Sequence, residues 1–214
     1  MPHCLRALAR PRHLLAALAT AVIATCWVGT PADAAIPGDR QSPAVVDAAF
    51  WALAAHDTFS VSGTPGDFAD YLAARNKAAD AVAAEMGLDH AALRDAWARA
   101  DLAHQKAVLA ALAELGKPYR YATSDPAVGF DCSGLTAYAW ARAGVAIPHQ
   151  SGAQIRAAAP RDRATAMAGD IVQYPGHVML YLGVDGAIVH AVNHQDDVEL
   201  DFVRRDVRFG DPTG

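Results

Sequence analysis

Cysteine is scarce in this chain, and its placement rules out cross-linking as an organising principle. Of three cysteines in 214 residues, Cys4 and Cys26 fall near the start and Cys132 stands alone in the remainder. No Cys-x-x-Cys pair occurs, which excludes paired-cysteine zinc modules and disulfide-framed mini-domains. Lysine is equally rare, three against 15 arginines, and acidic side chains outnumber basic ones 23 to 18. That balance makes nucleic acid a poor partner, because phosphate contacts dominate such affinity. Long apolar runs are missing too: Leu14 to Gly29 is 16 residues, short of the roughly 20 that a spanning helix needs. No internal repeat or low-complexity tract appears beyond an alanine bias, so solenoid architectures are set aside.

What is present begins with an export pattern. Arg6, Arg10 and Arg12 make a basic stretch before the apolar run, and Ala32-Asp33-Ala34 follows it as a small-x-small site. This predicts a secretory signal over 1–34, cleaved after Ala34, and hence a secreted or periplasm-like location. Retention as an anchor and lipidation at Cys26 are the alternatives; Thr25 before that cysteine disfavours the second. Cleavage would remove Cys4, Cys26, three arginines and Asp33, leaving 15 basic against 22 acidic groups, net −7. Cys132 is then the only thiol. With no disulfide partner, it is either a small buried apolar group or a nucleophile.

Residues 35–45 read as a linker from their Pro, Gly and Ser content. Residues 46–115 are helical in pattern: Phe68, Tyr71, Leu72, Ala79, Val82 and Met86 recur at three- and four-residue steps. A loop over 60–66 separates a first, Trp51-containing helix from the next. Another helix opens at the N-cap Asp89, runs to Leu115 with a candidate break near Asp101, and stops at Gly116 and Pro118. This region is either packing support for the second half of the chain or a module that contacts the cleft or a partner. From 116 to 214 the pattern is mixed. A helix over Cys132–Ala143 precedes β-rich runs at 171–174, 178–182, 187–192 and 198–203, with Asp185-Gly186 as a hairpin signal. The fold class is α+β.

A cysteine nucleophile needs its thiolate, and a helix start or a nearby imidazole supplies the means. Cys132 opens its helix, and Gly134 leaves room there for a substrate backbone. His177 and His190 flank Asp185-Gly186 and share a face by parity. A turn centred on Asp185-Gly186 places them four residues apart along the strands and sets His194 opposite His177. A turn centred on Val184-Asp185 halves the His177–His190 offset. Spacing alone leaves His190 and His194 both open as the partner of His177. A zinc site of His177, His190, His194 and Cys132 is a further reading, opposed by the lack of a paired-cysteine motif. His149 follows Pro148 in a loop that either approaches the cleft or is simply exposed.

Several blocks, in order and suitably spaced, resemble the NlpC-type cell-wall cysteine peptidases. They are Gly116-Lys117-Pro118-Tyr119-Arg120-Tyr121, Phe130-Asp131-Cys132-Ser133-Gly134-Leu135, Ile147-Pro148-His149-Gln150-Ser151 with Gln154, Ala168-Gly169-Asp170-Ile171-Val172, Gly176-His177-Val178-Met179-Leu180-Tyr181-Leu182-Gly183, and Ile188-Val189-His190-Ala191. The resemblance covers about 116–205 and leaves 35–115 without a named counterpart. It implies a reduced papain-like fold, a nucleophile helix packed on an antiparallel sheet, preceded here by the helical N-terminal region. It implies hydrolysis of peptidoglycan stem peptides at the bond between D-glutamate and a diamino acid, with muropeptides as partners and no metal or cofactor. Carried over, Cys132 is the nucleophile, His177 the base and then acid, and His190, favoured over His194, the third residue. Tyr119, Asp131, Ser133 and His149 fall at substrate-binding positions. Ala122-Thr123 departs from the glycine-rich pair usual after the aromatic block. An amidase or acyltransferase with the same dyad, or a non-catalytic wall- or partner-binding protein, are the competing functions.

Overall fold

The computed structural model describes residues 42–193, 196–203 and 206–214. The signal reading over 1–34, most of the 35–45 linker and His194 therefore lie outside the described residues.

Four helices come first: α1 (Pro43–Ser62), α2 (Pro65–Met86), α3 (His90–Arg99) and α4 (Leu102–Leu112). The first starts inside the sequence assigned to the linker, because Pro43 suits the opening turn, where its missing N–H is not needed. It also runs to Ser62, into the expected loop, and Gly63 ends it in the left-handed conformation at φ 63°. Thr64 caps α2 by accepting from the Asp67 N–H at 3.2 Å. The long helix expected from Asp89 is two: Asp89 caps α3, and Asp101 caps α4 by accepting from the His104 N–H at 2.9 Å. An N-cap needs extended backbone, so Asp101 breaks the run as it starts the next one.

A two-stranded ribbon, β1 (Ser124–Asp125) and β2 (Gly129–Phe130), leads into α5 (Cys132–Arg142) and the short α6 (Ser151–Ala157). The main sheet contains β3 (Ala159–Arg161), β4 (Ile171–Tyr174), β5 (His177–Tyr181), β6 (Ala187–Ala191), β7 (Val198–Phe202) and β8 (Arg208–Asp211). Its order is β3-β8-β4-β5-β6-β7, with each neighbouring pair antiparallel. This is the α+β, reduced papain-like arrangement that the motif blocks imply, with the helical region in front of it.

One buried core joins the helices to the sheet: Leu93, Trp97, Val108, Leu109 and Leu112 pack with Leu135, Trp140, Ile171, Val178, Leu180 and Val189. Each such side chain is worth about 1.5–3 kcal/mol when taken out of water. Trp97 Nε1 donates to the Leu182 carbonyl at 2.9 Å, just past the end of β5 remote from His177. Gly116 therefore marks where the motif blocks begin, while the packing runs across it. The other sheet face carries a smaller cluster of Val172, Met179, Tyr181, Ile188 and Phe209.

A buried polar junction ties α4 to the sheet. His104 Nδ1 lies 2.9 Å from Asp101 Oδ2, and Nε2 lies 3.4 Å from Asp170 Oδ1 and 3.3 Å from Asp211 Oδ1. Burial pushes the His104 pKa down, but the neighbouring carboxylates of Asp170, Asp101 and Asp211 outweigh it, and the net shift is upward. Gly169 completes the fit, since a Cβ there would stand 2.9 Å from His104.

Candidate active site

Asp131 organises the nucleophile helix. As N-cap of α5, its Oδ1 accepts from the Gly134 N–H at 2.7 Å and from the Ser133 hydroxyl at 2.9 Å. Its Oδ2 accepts from the Ala122 N–H at 2.8 Å, and His149 Nε2 sits 3.1 Å and 3.2 Å from the two oxygens. Asp131 and Ser133 are buried, and the hydrogen bonds described for them are internal. Substrate contact at either would have to compete with those bonds. His149 is exposed and reaches the start of the helix through Asp131.

Gly134 does not serve as the sequence suggested. A Cβ at this position would lie 2.0 Å from the Thr123 carbonyl oxygen, so the backbone admitted there is the chain's own. Beside it, Ala122 holds φ 56°, a left-handed conformation costly for any residue but glycine. The departure from the glycine-rich pair is thus a local strain, kept because the Ala122 N–H is needed by Asp131. Gln154, quoted only as part of a motif, locks the next loop. It donates to the Pro148 and Ser133 carbonyls at 2.7 Å and 2.9 Å, and accepts from the Thr136 hydroxyl at 2.7 Å.

Cys132 is the first residue of α5 and is partly buried. Burial raises its pKa and Asp131 adds to the rise, while N–H groups of Val178, Ser133 and Cys132 itself pull the other way. The net shift is upward, so the helix start does not by itself yield a resting thiolate. The helix that Cys132 opens packs against β5, and the backbone N–H of Val178, the residue after His177, is among the groups that lower the thiol's pKa. Tyr119 lies within electrostatic reach: burial, then the charges of Cys132 and Asp131, raise its phenol.

His177 and His190 come together. His177 Nε2 is 2.8 Å from His190 Nδ1, and both rings are buried. The register explains the approach. Leu180 pairs with Val189 and Tyr181 with Ile188, which is the arrangement with the halved offset. The reversal is nonetheless made by Asp185 at φ 48° and Gly186 at φ 75°, with the Ala187 N–H donating to Val184 O at 2.8 Å. Gly183 at φ 97° lets the Leu182 N–H pair with Ala187 O at 2.8 Å, so the added residues on the β5 side shift the register by two. His190 thus sits diagonally from His177, within reach of two rings. Burial lowers the His190 pKa to about 4, against the charges of Asp201 and Asp196, so the ring is neutral at ordinary pH.

Facing each other, the two histidines spend one nitrogen apiece on their mutual hydrogen bond, which removes both atoms from a Cys132–His177–His190 zinc set. Among the described residues two other groups have ligand-type spacing, His104 with Asp170 and Asp211, and His190 with Glu199 and Asp201. Neither was found from sequence. The first joins segments far apart in the chain, and the second depends on a cross-strand register that periodicity cannot fix.

A model of the NlpC/P60 family matches residues 116–207. A probable endopeptidase of Corynebacterium glutamicum strain R is 34% identical over 188 residues, 85% of this chain and 84% of that protein. An alignment of that length takes in much of the helical region as well. The peptidoglycan endopeptidase RipB of Mycobacterium tuberculosis is 45% identical over 82 residues, 36% of this chain and 34% of its own length. Among solved structures, the P60 domain of an antigen from M. avium subspecies paratuberculosis matches at 30% identity with a TM-score of 0.46, over 51% of this chain and 94% of that one.

Proposed function

This chain belongs to the NlpC/P60 family, and on that premise we propose that it is an exported cysteine endopeptidase cutting peptidoglycan stem peptides. The scissile bond in this reading joins D-glutamate to a diamino acid. Support for the chemistry comes chiefly from one arrangement: a lone thiol opening a helix that packs against β5, the strand on which His177 is engaged through Nε2 by His190 at 2.8 Å.

With Nε2 engaged by His190, Nδ1 is the nitrogen of His177 that takes the thiol proton in this reading. The raised pKa of Cys132 makes that transfer a step of the reaction and not a resting condition. The thiolate attacks the stem-peptide carbonyl carbon, and the Cys132 N–H at the helix start donates a hydrogen bond to the developing oxyanion. His177 returns the proton to the leaving amine, leaving a thioester. Water, deprotonated by the same imidazole, then releases the acid and restores the thiol. His190 holds the tautomer and orientation of His177. Tyr119 and His149 border the cleft, while Asp131 and Ser133 keep the helix start in shape for substrate.

In the same reading residues 1–34 direct export and are removed near Ala34. No helix among the described residues is long and apolar enough to cross a membrane. The test is to incubate residues 35–214 and the Cys132→Ala variant with defined muropeptides and identify products by mass spectrometry. Cleavage by the parent and none by the variant is expected. Cleavage that survives the substitution would remove Cys132 from the chemistry, and none from either would favour a wall-binding role.

A further inference from the structure

The proton between the two histidines has a consequence one strand further out. If His177 Nδ1 receives the thiol proton, the ring's own proton is on Nε2 and is donated to His190 Nδ1. A neutral His190 must then carry its proton on Nε2. That atom is buried and has no hydrogen-bond partner among the described residues. A buried N–H left unanswered costs about 1–3 kcal/mol, and the ring can escape the cost by moving its proton to Nδ1. Two N–H groups would then face each other across the 2.8 Å gap, and His177 would lose its acceptor.

What faces His190 Nε2 is Glu199. The two residues are directly paired in the β6–β7 ladder, and Glu199 Oε1 lies 3.9 Å from Nε2. Asp201, two residues on and so on the same face, borders with His190 a cavity of about 240 Å³ that Tyr174, Met179 and Ile188 also line. The separation exceeds a direct hydrogen bond, and the cavity is lined by Asp201 and not by Glu199. The case for Glu199 is its direct cross-strand pairing with His190, from which one bridging water or a small turn of the carboxylate would close the gap. We infer that Glu199 is a positioning residue: its carboxylate holds the His190 proton on Nε2 and so keeps Nδ1 as an acceptor for His177. The role rests on the reading of His177 as base, but the tautomer it predicts can be measured without turnover.

The experiment uses residues 35–214 labelled with ¹⁵N-histidine, as parent, Glu199→Ala, Glu199→Gln and Asp201→Asn. Long-range ¹H–¹⁵N spectra report which nitrogen of His190 is protonated, and muropeptide kinetics are run in parallel. In the parent and in Glu199→Gln, which keeps an acceptor oxygen, His190 should be the Nε2–H tautomer. Glu199→Ala should show a substantial Nδ1–H fraction and a kcat about tenfold lower, with KM and thermal midpoint little changed, in line with the roughly 10–100-fold losses typical of outer partners of functional histidines. Asp201→Asn should keep the parent tautomer. An unchanged tautomer in Glu199→Ala, or a mixed tautomer in the parent, overturns the assignment. If the parent proves inactive on every muropeptide, the peptidase reading fails while the spectra still decide the role of Glu199.

Discussion

His104 Nε2 and Asp170 Oδ1 lie 3.4 Å apart, and both side chains are fully shielded from solvent. Their contact spans the seam between α4 and the start of β4, so protonation of one imidazole is coupled to the attachment of the helical region. The folded pKa of His104 is above its ordinary 6.5. Its contribution is therefore complete below that value and is lost as pH rises through the folded pKa. Asp101 and Asp211 shift the other way: burial raises them, but hydrogen bonds to His104 and Thr213 respectively leave both net lowered. Their contribution is present above the ordinary 3.8 and is lost as pH falls through the depressed values. Urea unfolding across pH should show a plateau with a decline on each side. His104→Ala should cost about 3–5 kcal/mol, as breaking a buried pair does, and should abolish the alkaline decline. An alkaline limb that persists in the variant would assign it to another group.

Ala122 offers a gain. Because it holds φ 56°, Ala122→Gly should relieve about 1 kcal/mol of backbone strain and raise Tm by about 2–4 °C. A lower Tm would mean the methyl group is packed usefully.

At Gly134 the opposite is expected. Gly134→Ala would drive a Cβ to 2.0 Å from the Thr123 oxygen, forcing loop and helix apart at a cost of about 1–3 kcal/mol. Peptidase activity should fall with stability, measured by melting and muropeptide turnover on the same preparation.

Asp131→Ala removes the cap of α5 and the anchor of Ala122 and His149 together. Loss of the cap alone is worth about 0.5–2 kcal/mol. Asp131→Asn retains one acceptor oxygen and should recover part of the stability. Equal melting of the two variants would show that the oxygen on Gly134 N–H contributes little.

The thiol gives a chemical readout. Burial, reinforced by Asp131, holds Cys132 above its usual range, so its reactivity at neutral pH should depend on His177. His177→Ala should slow iodoacetamide alkylation of Cys132 near pH 7 and move the reactive limb to alkaline pH. Undiminished alkylation in that variant would mean that the helix start is enough to ionise the sulfur.

Periodicity and turn chemistry carried much of this fold. The runs at 171–174, 178–182, 187–192 and 198–203 match β4 to β7 within a residue at each end, and the helix expected over Cys132–Ala143 is α5. These are the segments whose apolar pattern answers to one buried face. β3 and β8 escaped because they are three and four residues long and include Pro160 and Gly210, which read as loop. The His177–His190 approach was left open because Gly183 alters the register, and a single positive φ leaves no periodic trace. The candidate site residues stood out by type and order, whereas Glu199 and the His104 junction acquire meaning only from partners distant in sequence.

A neutral resting thiol has one more effect, on durability. Oxidation to sulfenic acid proceeds through the thiolate, and the partial burial of Cys132 keeps that form scarce. In an oxidising compartment such a thiol resists peroxide and adventitious disulfides with no reductant at hand, so under the proposed chemistry the elevated pKa that slows the first proton transfer also prolongs the life of the catalyst.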